Sequence, residues 1–309
     1  MNYFDCHADT LTEIADDDET LLRNRRDLDL ARVGVFAERY TQVFAVWKDV
    51  GLFFPDKADR CFEACYQRAL DLLRAQGDRI ELVRSAAEMH AAHEAGRAAA
   101  FLSIEDVSLM GNHVDRLYEL GFRFAMLCWN HDNRYACGAA CDQRRGLTDK
   151  GRSLVRSLDD QGVVLDVSHL SDAGAEDLLE LVDGPVMASH SDVRDVSDLP
   201  RNLARWQVAE IVRRGGLIGL NFFAPFVSAQ GNPTTDDLLR HADYVLEMGG
   251  EDALALGADF DGSDGLFPAG VVGVQSMPGV RARFVASFGE ELAEKIFYAN
   301  AAAFVDRVL

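Results

Sequence analysis

The chain has 309 residues, 48% of them hydrophobic and 27% charged, which supports a large buried core and argues against disorder. Asp and Glu number 51 against 31 Lys and Arg, giving a formal charge of −20 spread along the chain. Such a surface repels phosphate backbones and acidic bilayers, so neither nucleic acid nor membrane is an expected partner.

Short β-type runs alternate with amphipathic stretches from end to end, the pattern of βα units. Strands are expected at 2–8, 40–47, 98–104, 123–129, 163–168, 185–189, 217–222 and 254–258, the eight that close a (β/α)8 TIM barrel. Helices are expected at 56–76, 86–96, 112–120, 148–161, 171–182, 206–215, 234–249 and 289–307. Ile80–Val83 reads as an extra short strand outside that count, and Gly262–Gly279 as a long loop on the ligand face. No repeat, low-complexity linker or composition shift divides the chain, so 1–309 is read as one domain.

No apolar run approaches the roughly 18–20 residues of a bilayer span. Met1–Asp5 has neither the basic nor the apolar part of a signal peptide. Six cysteines are too few for a disulfide scaffold in a chain of this length and point to a reducing, cytoplasmic compartment. The C-x3-C pairs Cys61/Cys65 and Cys137/Cys141 lack the repeated spacing of a structural zinc ribbon and are read as packing residues.

Polar residues gather where parallel-barrel enzymes do their chemistry, at the C-terminal ends of the strands. The first strand ends on His7-Ala8-Asp9, whose two-residue spacing sends both polar side chains to one face. The third ends on Glu105, the fifth on His169, the sixth on His190 and the eighth on Asp259. Taken singly, each has a plainer explanation: H-x-D is common, and a lone His after a strand usually satisfies a local hydrogen bond. Glu105 alone reads as a helix N-terminal charge. Asp166 is read as structural, because alternation turns it away from His169, and His90, His93 and His113 as solvated. Three imidazoles and three carboxylates, all at strand ends, are not independent accidents. Imidazole and carboxylate suit Zn2+. Five ligands (His7, Asp9, Glu105, His169, His190) exceed what one zinc takes, so a binuclear site with Glu105 as bridge is expected. A hydroxide held between the ions would attack, with Asp259 moving its proton.

These residues resemble the renal dipeptidases, a branch of the metal-dependent amidohydrolases, over nearly the whole chain and in order. The matching elements are Asp5-Cys6-His7-Ala8-Asp9, Ile104-Glu105, Asp166-Val167-Ser168-His169-Leu170-Ser171, Ser189-His190-Ser191, Pro200-Arg201-Asn202 and Gly257-Ala258-Asp259-Phe260-Asp261-Gly262. The resemblance implies a zinc dipeptidase of L,L- and L,D-dipeptides, with a homodimer as the family-like assembly. His7 and Asp9 would bind one zinc, His169 and His190 the other, and Glu105 both. It also implies that Arg201 holds the substrate carboxylate and Asp259 meets its amino group. Two departures stand out. Asp106-Val107 replaces a Gly-Gly after the bridging Glu, and Trp129 stands where many members have a substrate-contacting His. Trp129 would then wall the pocket, with His131 or Asn133 polarising the carbonyl. The rival readings are cleavage of an N-acyl amino acid or cyclic amide at the same metals, and a metal-binding homologue without turnover.

Overall fold

The computed structural model describes residues 1–14, 19–49 and 57–309. Among the described residues there are nine strands: β1 (Asn2–Ala8), β2 (Arg39–Val46), β3 (Ile80–Leu82), β4 (Ala98–Ile104), β5 (Phe122–Met126), β6 (Val164–Asp166), β7 (Met187–Ala188), β8 (Leu217–Leu220) and β9 (Leu254–Leu256). Every pairing is parallel, and the ring closes through β1–β9 and β2–β4. Leaving out β3, eight strands form the closed barrel. β3 is excluded because it pairs only with the first half of β4, Ile80 to Ala98 through Leu82 to Ala100. β5 takes the second half of the same edge, from Leu102 onward.

Alternation along the strands builds two apolar layers. Phe4, Cys6, Val43, Phe101, Phe124, Met187 and Leu217 fill the barrel interior, which Phe304 and Val305 of the last helix close from below. Tyr3, Phe44, Leu102, Leu165, Ile218 and Leu254 face the helical ring instead. In β1 that alternation is interrupted. Asp5 pairs with Gln42 but Ala8 with Phe44, so three steps of β1 match two of β2. This bulge re-aims the strand end. Cys6 and His7 both lie within it: Cys6 joins Phe4 in the interior layer, and the adjacent His7 still reaches Glu105.

Several strands are shorter than their apolar runs. The run 163–168 yields only Val164–Asp166, and 254–258 only Leu254–Leu256. Beyond them the backbone leaves the sheet, and His169 (φ 69°) and Asp259 (φ 59°) adopt the left-handed region. Such strain in non-glycine residues concentrates at functional sites.

The helix expected at 56–76 runs Ala58–Arg74, with Phe62, Ala69, Leu72 and Leu73 buried; position 56 lies outside the described residues. Cys61 and Cys65 pack half-buried on its core side, and none of the six cysteines forms a disulfide. The segment expected as a helix at 112–120 is instead a 3-10 stretch, Val107–Arg116, broken at Gly111 (φ 55°, ψ −116°). Met277–Phe288 is helical, so the loop read to Gly279 ends earlier than expected. His93 corrects the reading of a solvated face: it is half-buried, with Nε2 at 3.0 Å from the Tyr40 carbonyl oxygen. Among the described residues no helix is long and apolar enough to cross a membrane.

Candidate active site

The strand ends deliver His7, Asp9, Glu105, His169, His190 and Asp259 into one buried cluster. Glu105 sits at its centre, and its two oxygens face different partners. Oε2 is 3.3 Å from His7 Nε2, which is itself 3.4 Å from Asp9 Oδ2 and 3.8 Å from Asp259 Oδ1. Oε1 is 3.0 Å from His169 Nε2 and 3.8 Å from His190 Nε2. Donor atoms of His7, Glu105 and His190, and likewise of His7, Asp9 and Asp259, lie within 4.8 Å of one another.

Two buried aspartates set the strand ends in place. Asp5 Oδ1 accepts from the backbone N–H of His7 (3.0 Å) and of Ala258 (3.1 Å), tying β1 to the residue before Asp259. Asp166 Oδ1 accepts from Ser168 N (2.8 Å) and Ser189 N (3.2 Å), tying β6 to the residue before His190. The same device thus sits one step behind both halves of the cluster. Ser171 caps the helix Asp172–Leu181 by accepting from Gly174 N, so the turn carrying His169 runs straight into an anchored helix. Gly262 is required by close approach: a Cβ there would lie 2.3 Å from Asp259 Oδ1 and 2.4 Å from Asp9 Oδ2.

Each outer imidazole is oriented through its other nitrogen. His169 Nδ1 is 2.9 Å from Asn130 Oδ1, and His190 Nδ1 is 2.8 Å from Ser189 Oγ. An Nδ1–H donated to Asn130 leaves the lone pair of His169 on Nε2, facing Glu105 and His190. Asp259 Oδ2 accepts from Asn221 Nδ2 at 3.1 Å. Asn130 and Asn221 are not singled out by the sequence pattern, and Ser189 enters it only as part of Ser189-His190-Ser191, with no role of its own. The strand-end rule applied to β8 reaches Asn221 directly, because it follows Leu220.

The electrostatics define what the cluster is suited to hold. Burial, then the charge of Asp9, pushes the Glu105 carboxyl upward. Burial likewise raises Asp259, against the pull of His7. Burial opposes charge on His7 as well, but Glu105 and Asp9 outweigh it and hold the imidazole well above its usual range. Burial, followed by the nearby cations Arg201 and His7, drives His169 and His190 far down, to neutral imidazoles. Meanwhile His7 Nε2 and Asp9 Oδ1 are buried with no hydrogen-bond partner. Neutral imidazoles, crowded carboxylates and orphaned donor atoms fit divalent cations, and N/O donors of this kind suit zinc.

Arg201 is buried directly behind His190, donating from Nη1 to Ser191 Oγ (2.7 Å) and from Nη2 to the His190 carbonyl (2.9 Å). Its Nε has no partner, and the guanidinium carbon sits 5.5 Å from the Phe226 ring centre. Trp129 lies over the cluster, its ring centre 6.1 Å from that of His169. A cavity of about 290 Å3 is lined by Glu105, His169 and Asp259 together with Trp47, Trp129 and Phe226. His131 and Asn133 are not brought into it; they line a neighbouring cavity. Asn133 is committed locally, with Nδ2 donating to Asp106 Oδ1 and Leu127 O and Oδ1 accepting from Tyr135 N and Ala136 N.

A closed parallel barrel with imidazoles and carboxylates converging at its strand ends is the frame of a metal-dependent hydrolase. The family described as membrane dipeptidase (peptidase family M19) matches residues 1–307. The chain is similar to an uncharacterized protein in the pqqA 5' region of Klebsiella pneumoniae, 31% identical over 62% of this chain and 75% of that one. It also resembles the solved structure of dipeptidase AC, a metallo peptidase of family M19, at 26% identity and TM-score 0.88, covering 100% of this chain and 98% of that one. A third similarity is to the metallo peptidase from Rhodobacter sphaeroides liganded with a phosphinate mimic of the dipeptide L-Ala-D-Ala. It is 26% identical with TM-score 0.87, over 100% of this chain and 99% of that one. The chain therefore belongs to the membrane dipeptidase family and is an enzyme of the metallo-dipeptidase class.

Proposed function

We propose that this enzyme hydrolyses free dipeptides at a two-zinc site, with His7, Asp9 and Glu105 holding one ion and Glu105, His169 and His190 the other. The observation that carries this reading is the Glu105 carboxylate, whose two oxygens face two separate donor sets. When bound, two zinc ions supply Lewis acidity and a water of lowered pKa.

The residues of the chain do the rest. Arg201 holds the substrate carboxylate, a task suited to a buried guanidinium whose Nε is still without a partner. Asp259 receives the amino group and serves as general base and acid. It takes a proton from the attacking water as oxygen bonds to the carbonyl carbon, and delivers it to the amide nitrogen as the C–N bond breaks. Asn221 holds the other oxygen of that carboxylate, so Oδ1 is the one that works. Trp47, Trp129 and Phe226 exclude bulk water. The Rhodobacter sphaeroides neighbour was liganded with a mimic of L-Ala-D-Ala, which places L,D- beside L,L-dipeptides among the substrates to try. Six unpaired thiols fit the cytoplasmic location we propose.

The test is turnover of the zinc-reconstituted protein on L,L- and L,D-dipeptides, beside Asp259→Asn and Arg201→Ala. Free-dipeptide hydrolysis that both variants abolish is the expected result. Hydrolysis of N-acyl amino acids or cyclic amides with dipeptides untouched would overturn the substrate, and zinc binding without any turnover would overturn catalysis.

A further inference from the structure

Trp47 and Trp129 line two cavities at once. One, of about 290 Å3, contains Glu105, His169 and Asp259. The other, of about 330 Å3, contains Asp106, His131 and Asn133. The two indoles meet with ring centres 5.1 Å apart, so they form the wall between the cavities.

That wall is fixed by Asp106. This buried carboxylate accepts from Ser108 N (2.8 Å) and Asn133 Nδ2 (2.8 Å) through Oδ1, and from Trp129 N (3.3 Å) through Oδ2. It therefore ties the loop after β4 to the loop after β5 at the backbone of Trp129 itself. Asn133 completes the tie through Leu127 O and the Tyr135 and Ala136 amides. A tryptophan held at its main chain and packed against a second, tilted ring has little freedom to swing aside.

We propose that the Trp47–Trp129 partition, pinned by Asp106, is the specificity determinant that confines the substrate to two residues with compact side chains; this rests on the dipeptidase reading above. The metal-side cavity lies at the lower end of the roughly 300–1,000 Å3 typical of ligand pockets. Opening the wall would join to it a slightly larger space of about 330 Å3, enough for a further residue or a large side chain. Asp106 acts here as a positioning residue, through Trp129 and not on substrate.

The experiment compares kcat/KM for Ala-Ala, Trp-Ala, Ala-Trp and tri-alanine in the zinc-loaded wild type, Trp129→Ala, Trp47→Ala, Trp129→Phe and Asp106→Ala, with metal content measured on each. Expected is that the wild type turns over Ala-Ala, and that in both Trp→Ala variants, whatever their absolute rate on Ala-Ala, the ratio of the larger substrates to Ala-Ala rises about tenfold or more. Asp106→Ala should move the ratio in the same direction, and Trp129→Phe, which keeps a ring in the wall, should hold it near wild type. Metal content should stay at the wild-type level throughout. An unchanged ratio in a metal-loaded Trp→Ala variant, beside robust wild-type turnover, overturns the partition alone, as does a Trp129→Phe shift as large as that of Trp129→Ala. Trp47→Ala carries the same test from the other side if Trp129→Ala does not fold. A wild type silent on every peptide overturns the dipeptidase reading and the partition with it.

Discussion

His169 Nε2 lies 2.8 Å from His190 Nε2, while the Nδ1 atoms of both rings are already engaged by Asn130 and Ser189. With each Nδ1 tied outward, both Nε2 atoms turn toward the Glu105 carboxylate, so a cation bound there would be shared by two imidazoles already oriented for it.

Metal removal should accordingly destabilise the fold as well as abolish activity. A ligand present at 1,000 times its Kd stabilises the native state by about 4 kcal/mol. For a chain of 309 residues that corresponds to a fall in Tm of about 6 °C on chelation. Calorimetry of the zinc-loaded and chelated protein checks it. An identical Tm in both would mean that the cluster does not hold metal in the native state.

On the two-zinc reading proposed above, Asn130→Ala should weaken the ion held by His169 and spare the other. Loss of such an outer hydrogen bond to a ligating imidazole typically costs about 10–100-fold in metal affinity. Competition titration with a chromophoric chelator should therefore show two affinities separating where the wild type binds more evenly. Ser189→Ala should produce the same separation through His190, and Asn130→Asp, which keeps an acceptor, should restore much of the loss.

Gly262→Ala should injure the site while leaving the barrel standing. Its new methyl would collide with the carboxylates of Asp9 and Asp259, which have to move together. Displacement of catalytic groups by about 1 Å costs on the order of 100-fold in rate. The expected result is a fall in kcat of that order with an unchanged far-UV circular dichroism spectrum. A wild-type kcat would show that neither carboxylate needs its present place.

Asp166→Ala should act on stability first. It leaves the Ser168 and Ser189 amides without their acceptor at the joint between β6 and β7. Hydrogen bonds to a charged acceptor contribute about 1.5–3 kcal/mol each, so a loss of about 3 kcal/mol is expected in urea unfolding. A change below about 0.5 kcal/mol, the range of ordinary surface substitutions, would remove Asp166 from the framework of the site.

The linear pattern carried most of the architecture. β1 and β4 occupy the runs read from their apolar residues, 2–8 and 98–104, because a strand buried on both faces leaves a continuous apolar signature. The polar residues ending those runs stood out by contrast, and in the fold they converge at Glu105. Composition and periodicity were enough for this, since both reflect local geometry and burial.

What periodicity cannot carry is pairing. Only the tertiary structure decides that β3 stays outside the ring, because β5 occupies the rest of the same edge of β4. Only it shows the bulge between Asp5 and Ala8, without which strict alternation would turn His7 away from the interior that Phe4 and Cys6 face. It also separates Trp129, which lies over His169, from Asn133, whose amide is spent on Asp106 and the surrounding backbone. The sequence by itself determined which residue types arrive at the mouth of the barrel. Which of them meet, and which stand behind a wall, depends on contacts between segments far apart in the chain, whose register and hydrogen bonding no local pattern encodes.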